Sequence, residues 1–182
     1  MMLFWILIGL VIVQRLVELR VARRNERLLL AKGAFEAGKS HYPYMVAMHA
    51  AFFLCLVMEV LLLHRPPSPI WLPLLAVFLA MQVLRVWCLA SLREFWNTKI
   101  IILPGANVVR RGPYKWLRHP NYVIVTTELL VLPLLYQAYF TAALFALLNA
   151  WMLSVRIPAE EKALRKATDY NERFGPARTG EP

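Results

Sequence analysis

The sequence predicts an all-α integral membrane protein with five transmembrane helices, the last two forming a C-terminal hairpin, and no Rossmann domain. Three observations carry the prediction. First, 59% of the 182 residues are hydrophobic and 18% charged, where a soluble domain carries about 45–50% and about 25%. Second, the apolar residues fall in runs of about the 20 residues needed to cross a hydrocarbon core of about 30 Å. Third, the basic residues gather in blocks between those runs, and no G-x-G-x-x-G motif opens a helix after a strand. The same apolar content excludes disorder, and the length suits one membrane-embedded domain, residues 1–182.

The first run, residues 3–19, is apolar through Val13 and then turns amphipathic, with Gln14, Arg15, Glu18 and Arg20 set among Leu16, Val17, Leu19 and Val21. This helix is expected to leave the bilayer gradually and continue past Arg24. It has neither the basic leader nor the small-residue cleavage site of a signal peptide, so it is expected to stay in the mature protein. Residues 44–63 and 70–92 are the clearest spans, joined by an outside turn that holds Pro66 and Pro67. The last stretch, residues 122–155, would make a helix of about 50 Å, too long for one crossing. Pro133 and Gln137 favour a tight hairpin, residues 122–136 and 138–155, over one long helix. Pro158 then suits the first turn of a new tail helix over about 158–172, ending near Gly175 and Pro176.

Charge placement supports this topology independently. Six Lys/Arg fall in residues 20–39, six in 93–118 and six in 156–178; the other three are Arg15, Arg65 and Arg85. With five spans all three blocks share one side, which the positive-inside rule assigns to the cytosol, leaving the N-terminus outside and the C-terminus inside. A bacterial cytoplasmic membrane is the expected location. The net charge of +10 is thereby explained by topology and contact with anionic lipid, and no nucleic-acid partner is expected. Cys55 and Cys88 both lie in apolar runs, so neither a disulfide framework nor a Cys-rich metal site is expected. His41, His49 and His64 show no metal-ligand spacing, and no metal is expected.

Most of the polar chemistry lies in residues 93–122 and in the tail from Arg156. The first holds Trp96, Ile100, Val108, Val109, Tyr114 and Trp116, too many apolar groups for a disordered loop. Its densest part is Gly112-Pro-Tyr-Lys-Trp-Leu-Arg-His-Pro-Asn-Tyr122. Pro120 biases His119 away from α geometry just before a helix start. An irregular backbone there suits a polar ligand group. Composition alone equally reads Tyr114, Trp116 and Tyr122 as interfacial aromatic anchors. Arg156, Glu160 and Glu161 form the second feature, a helix cap with an ion pair on the simplest reading. Within the spans Glu59, Gln82, Arg85, Glu128 and Asn149 need partners. Glu59 is expected to reach the interface, and Arg85 to pair with Glu128.

The run Val108-Val-Arg-Arg-Gly-Pro-Tyr114, then Arg118-His-Pro-Asn-Tyr122, an apolar hairpin, and Arg156-x-x-x-Glu160-Glu161 resembles the isoprenylcysteine carboxyl methyltransferase family. The likeness covers roughly residues 84–174 and rests on the ordered combination. Among bacterial members it is most similar to the short branch linked to O-methylation of alkylpyrones and phenolic lipids made by type III polyketide synthases. The resemblance implies an S-adenosylmethionine-dependent methyltransferase whose cofactor pocket, on the cytosolic side, is built from the loop and the tail. Carried over, Tyr114, His119, Pro120, Asn121, Tyr122 and Glu160 would line that pocket. Ala106, Asn107, Val108 and Val109 would add backbone contacts, and Lys99 falls by spacing at a polar cofactor contact. Arg156 would face the substrate. The family usually has glycine two residues after the motif tyrosine; here that position is Ile124, which puts a prenylcysteine substrate in question more than the methyl donor.

Methyl transfer to an ionised oxygen needs orientation and water exclusion more than acid–base groups, consistent with the lack of a catalytic triad. The expected acceptor is a lipid-tailed small molecule, carboxylate or enol/phenol, entering laterally from the bilayer; no obligate protein partner is expected. Two rival readings remain: an NADPH-dependent membrane reductase of sterol-reductase-like architecture, against which the acidic Glu160 and Glu161 argue, and a non-enzymatic membrane scaffold.

Overall fold

The computed structural model describes residues 1–175. Six helices account for most of them: α1 (Met2–Ala31), α2 (Tyr42–Leu62), α3 (Trp71–Leu92), α4 (Pro120–Leu134), α5 (Tyr139–Ala167) and α6 (Tyr170–Phe174). Two three-residue strands, β1 (Phe35–Ala37) and β2 (Ile100–Ile102), pair antiparallel with Phe35 opposite Ile102. The chain divides into two compact units. One holds residues 1–37, 92–108 and the chain from Lys162 onward; the other holds residues 38–91 and 109–161.

Among the described residues four helices, α1 and α5 among them, are long and apolar enough to cross a membrane. Their outward side chains are what lipid requires: Val83 is 70% and Leu147 72% exposed, apolar surface that a water-soluble protein would bury. The protein is a membrane protein. Of the five expected spans, the fourth, residues 122–136, corresponds to α4, whose 15 residues reach only about 22 Å, shorter than a full crossing. The hairpin is present, with its turn at residues 135–138 and Gln137 at φ +52°.

The tail differs from expectation. No new helix starts at Pro158; α5 runs through it to Ala167, and the separate α6 follows. A proline inside a helix forfeits one backbone hydrogen bond and costs about 3 kcal/mol. Here side chains on both sides of it are tied to α4: Arg156 and Glu160 to Tyr122, and Glu161 to His119. Those ties offset the defect in part. Glu160 and Glu161 therefore sit within a long helix rather than in a first turn. Arg178, counted in the tail block, lies outside the described residues.

In the first unit α1 buries a stripe at three- and four-residue spacing, including Phe4, Ile8, Val11, Ala22, Asn25 and Leu29. Asn25 donates to the carbonyls of Arg93 (3.0 Å) and Trp96 (2.8 Å), satisfying the irregular backbone that follows α3. Lys99 is held by Glu26 at 2.7 Å and Glu36 at 3.4 Å.

In the second unit most polar groups of the spans are settled internally, as lipid demands. Glu59, expected near the interface, is engaged within the protein and lies 3.7 Å from the Arg65 guanidinium. It is buried and accepts from the N–H groups of Phe140 (3.2 Å) and Thr141 (2.7 Å) and from the Thr141 hydroxyl (2.7 Å). These are donors a helix N-terminus leaves orphaned, and a carboxylate there also meets the positive dipole end. Asn149 on α5 donates to Thr126 on α4 at 2.9 Å, and Phe52 packs edge-on against Phe145 at 5.4 Å. The expected pairing of Arg85 with Glu128 is present, with Gln82 adding a hydrogen bond to the carboxylate at 2.7 Å.

Because that pair is buried, removing one partner leaves a charge without compensation, at a cost of about 3–5 kcal/mol. Arg85→Met is expected to lower the thermal midpoint in detergent sharply. Arg85→Met combined with Glu128→Leu is expected to recover most of the loss, and a double variant no better than the single would contradict the pairing account.

Candidate functional site

The site begins at a glycine that no other residue can replace without strain. Gly112 has φ +57°, and a Cβ there would lie 2.1 Å from the Ser91 hydroxyl oxygen on α3. Arg111 closes the same approach by donating to the Ser91 carbonyl at 2.6 Å. The single 3₁₀ turn Gly112–Lys115 then points Tyr114 inward, 9% exposed, where its hydroxyl meets the Cys88 thiol of α3. Burial first, and then the nearby Cys88 and Glu160, raise the Tyr114 pKa well above the usual tyrosine value, so the hydroxyl stays protonated and able to donate.

Pro120 takes the first position of α4 and is fully buried, leaving His119 outside the helix at φ −131° and ψ 61°. From there the imidazole stacks on Tyr122 with centroids 5.4 Å apart. Its Nε2 lies 3.2 Å from a Glu161 oxygen and its Nδ1 3.9 Å from Glu160. The Tyr122 hydroxyl donates to Glu160 at 2.5 Å and accepts from the Arg156 Nε at 3.4 Å. Arg118 reaches Glu161 at 3.7 Å. Arg156 is 4% exposed. The four-residue spacing of Arg156 and Glu160 puts both on one face of α5, which is why one hydroxyl can meet both.

Thus Tyr114, His119, Pro120, Tyr122, Arg156 and Glu160, all singled out from sequence, belong to one unit, and His119, Tyr122, Arg156 and Glu160 form one cluster. Asn121 shares that unit, and its Oδ1 is buried without a hydrogen-bond partner among the described residues. Such an acceptor costs free energy unless a ligand satisfies it. Val109 falls in the same unit, whereas Lys99, Ala106, Asn107 and Val108 fall in the other. There the Lys99 ammonium is taken up by Glu26 and Glu36, and the hydrogen bond to Glu26 is the main cause of its raised pKa. The Val108 N–H is also engaged, by Asp169 at 2.6 Å, and Gly105 donates to the Ala167 carbonyl at 2.8 Å. Ile124, where the family pattern has glycine, is fully buried.

Sequence reasoning passed over Asp169, gave Cys88 no place in the site, and read Glu161 only as part of a helix cap with an ion pair. Asp169 was legible in principle, as an acidic residue just before a short helix with Arg173 four residues on. Cys88 gave no signal among apolar neighbours.

The family model of the isoprenylcysteine carboxyl methyltransferase (ICMT) family matches residues 74–166, from within α3 almost to the end of α5. The chain belongs to this family. Family membership makes it a membrane methyltransferase, and all the clustered side chains fall within the matched region. Two curated bacterial proteins are similar over most of their length. The uncharacterized protein YpbQ of Bacillus subtilis is 54% identical over 163 residues, 90% of this chain and 97% of that one. An uncharacterized protein of Haemophilus influenzae is 34% identical over 154 residues, 82% of this chain and 88% of that one. No solved structure matches significantly.

Asp169 yields a pH prediction. The hydrogen bonds from Arg173 and then the Val108 N–H hold its pKa below the ordinary aspartate range. A depressed carboxylate pKa stabilises above the unfolded value of about 3.9 and releases as pH falls through the folded one. Protection of the Val108 amide in hydrogen exchange is therefore expected to be full above about pH 4 and to be lost only as pH falls further, through the depressed folded value. In Asp169→Asn it should be weak throughout; strong protection in that variant would contradict the clamp.

Proposed function

We propose that the protein transfers the methyl group of S-adenosylmethionine to an oxygen of a lipid-tailed acceptor at the inner face of a bacterial cytoplasmic membrane, with its N-terminus outside and its C-terminus in the cytosol. One observation carries the reading: Tyr122 on α4 meets both Glu160 and the buried Arg156 on α5, so an anion and a cation stand side by side under one hydroxyl.

The residues of this cluster fit the cofactor. It presents hydroxyls, a carboxylate and an ammonium, and the donors among these suit Glu160, Glu161 and the unsatisfied Asn121 Oδ1. Bound there, S-adenosylmethionine supplies a methyl group made electrophilic by a positive sulfonium. The chain's own part is orientation. Arg156 holds the acceptor oxygen through a charge-assisted hydrogen bond, and His119 and Tyr122 stack to close one wall. The helices exclude water from a reaction that needs alignment above all. The exposed apolar faces give a lipid tail access from the side. The three basic blocks support the orientation through the positive-inside rule.

Full-length protein in nanodiscs with labelled S-adenosylmethionine and candidate lipids tests this directly. Arg156→Ala is expected to lower kcat/KM by about ten- to a hundredfold, the worth of a charge-assisted hydrogen bond, with cofactor affinity little changed. His119→Ala is expected to weaken the cofactor itself. Undiminished transfer in both variants would end the assignment.

A further inference from the structure

The cations of α1 fall into two sets. Arg15 is paired with Glu18 at 2.6 Å, and Gln14 donates to the same carboxylate at 3.0 Å. Further along the helix, Arg20, Arg23, Arg24 and Arg27 are all exposed, and none makes a hydrogen bond or ion pair among the described residues. The other carboxylate of α1, Glu26, is taken up by Lys99 at 2.7 Å. Set three, four and seven residues beyond Arg20, the other three arginines share its face of the helix. With Leu28 the four line an open cleft of about 430 Å³. Like charges at this spacing repel and weaken a helix, and no described carboxylate offsets that repulsion here.

The same face is apolar just before Arg20. Val13, Leu16 and Val17 lie on it at the same spacing, each more than half exposed. From its start at Met2 to Leu19 the helix is about 27 Å long, close to a hydrocarbon core of about 30 Å, so Arg20 falls at the edge of that core. The stretch on to Arg27 adds about 10 Å, enough to cross a headgroup layer of about 5–8 Å. Cα–Cβ bonds tilt toward the N-terminus of a helix, so the four side chains lean back toward the bilayer. That holds whichever side of the membrane this end of α1 occupies. Each guanidinium fork matches two oxygens of a phosphate.

We propose that this face of α1 is a discrete binding site for an anionic phospholipid. The phosphate sits among Arg20, Arg23, Arg24 and Arg27, and one acyl chain lies along Val13, Leu16 and Val17. A basic block alone attracts any anionic surface. The continuity of basic and apolar stretches on one face selects a ligand that is phosphate at one end and hydrocarbon at the other. Free phosphate or an acidic protein segment would leave the apolar stretch unused. The site lies in the unit that does not hold the Tyr122 cluster, and it does not depend on the reaction proposed above.

The test uses the full-length protein in a neutral detergent, with phosphatidylglycerol titrated in and retained lipid counted by native mass spectrometry. The wild type is expected to retain phosphatidylglycerol saturably and phosphatidylcholine of the same chains far more weakly. An excess of inorganic phosphate should not displace the lipid. Neutralising all four arginines together (Arg20→Gln, Arg23→Gln, Arg24→Gln and Arg27→Gln) should weaken phosphatidylglycerol binding about a hundredfold or more, at about fivefold per arginine. A control that removes the same charge elsewhere (Lys39→Gln, Lys115→Gln, Lys162→Gln and Lys166→Gln) should change it little. Leu16→Ser with Val17→Ser should also weaken it, with all four arginines in place. Circular dichroism reports whether each variant folds. If the fourfold arginine variant does not, Arg20→Gln with Arg24→Gln replaces it, with an expected loss of about twentyfold. Equal loss in the arginine variant and the lysine control would mean diffuse attraction and would overturn the site. So would undiminished binding in the arginine variant, or displacement of the lipid by inorganic phosphate.

Discussion

The hydroxyl of Tyr122 is the point on which the cluster depends. It donates to a carboxylate and accepts from a guanidinium, and those two groups stand four residues apart on a helix that does not break at its proline. Were α5 to end before Pro158, Arg156 and Glu160 would belong to different elements and nothing would fix their spacing. An unbroken helix makes the separation of the two charges a property of backbone geometry, about 6 Å along the axis, rather than of loop conformation. On the other side, Pro120 keeps His119 out of α4 while Tyr122 enters its first turn, so the two rings stack.

The membrane explains why so few polar groups are left over. Every buried donor, acceptor or charge within a span must find a partner in the protein. Glu59 is spent on the start of α5, Glu128 on Arg85 and Gln82, and Thr126 on Asn149. Among the described residues, the unit that holds the cluster still leaves buried polar atoms of His41, Arg65, Gln82 and Asn121 without a partner. Of these, Asn121 is the neighbour in sequence of the cluster's Tyr122, and its oxygen has the chemistry to meet a polar ligand.

Much of this was legible in the sequence because it depends on local rules. Hydrophobic run length located α2 and α3 to within two residues at each end, Gln137 marked the hairpin turn, and His119-Pro120 marked the start of α4. The pairing of Arg85 with Glu128 followed from the need of each for a counterion in lipid. What the sequence concealed depends on tertiary contact. Pro158 reads as a helix start, and only ties from α4 on both sides of it show why the helix continues. Glu59 gives no sign in sequence that the first amides of α5 take up its carboxylate. Lys99 carries no sign that Glu26, on a distant helix, occupies its ammonium.

The most direct test of the central claim is where the methyl donor binds. Ultraviolet cross-linking of S-adenosylmethionine, labelled in its methyl group, to the full-length protein in nanodiscs, followed by peptide mapping, answers this. The account predicts label on peptides spanning residues 112–122 and 156–161, abolished by excess unlabelled cofactor. Saturable label confined to other segments, with none on those two, would contradict it.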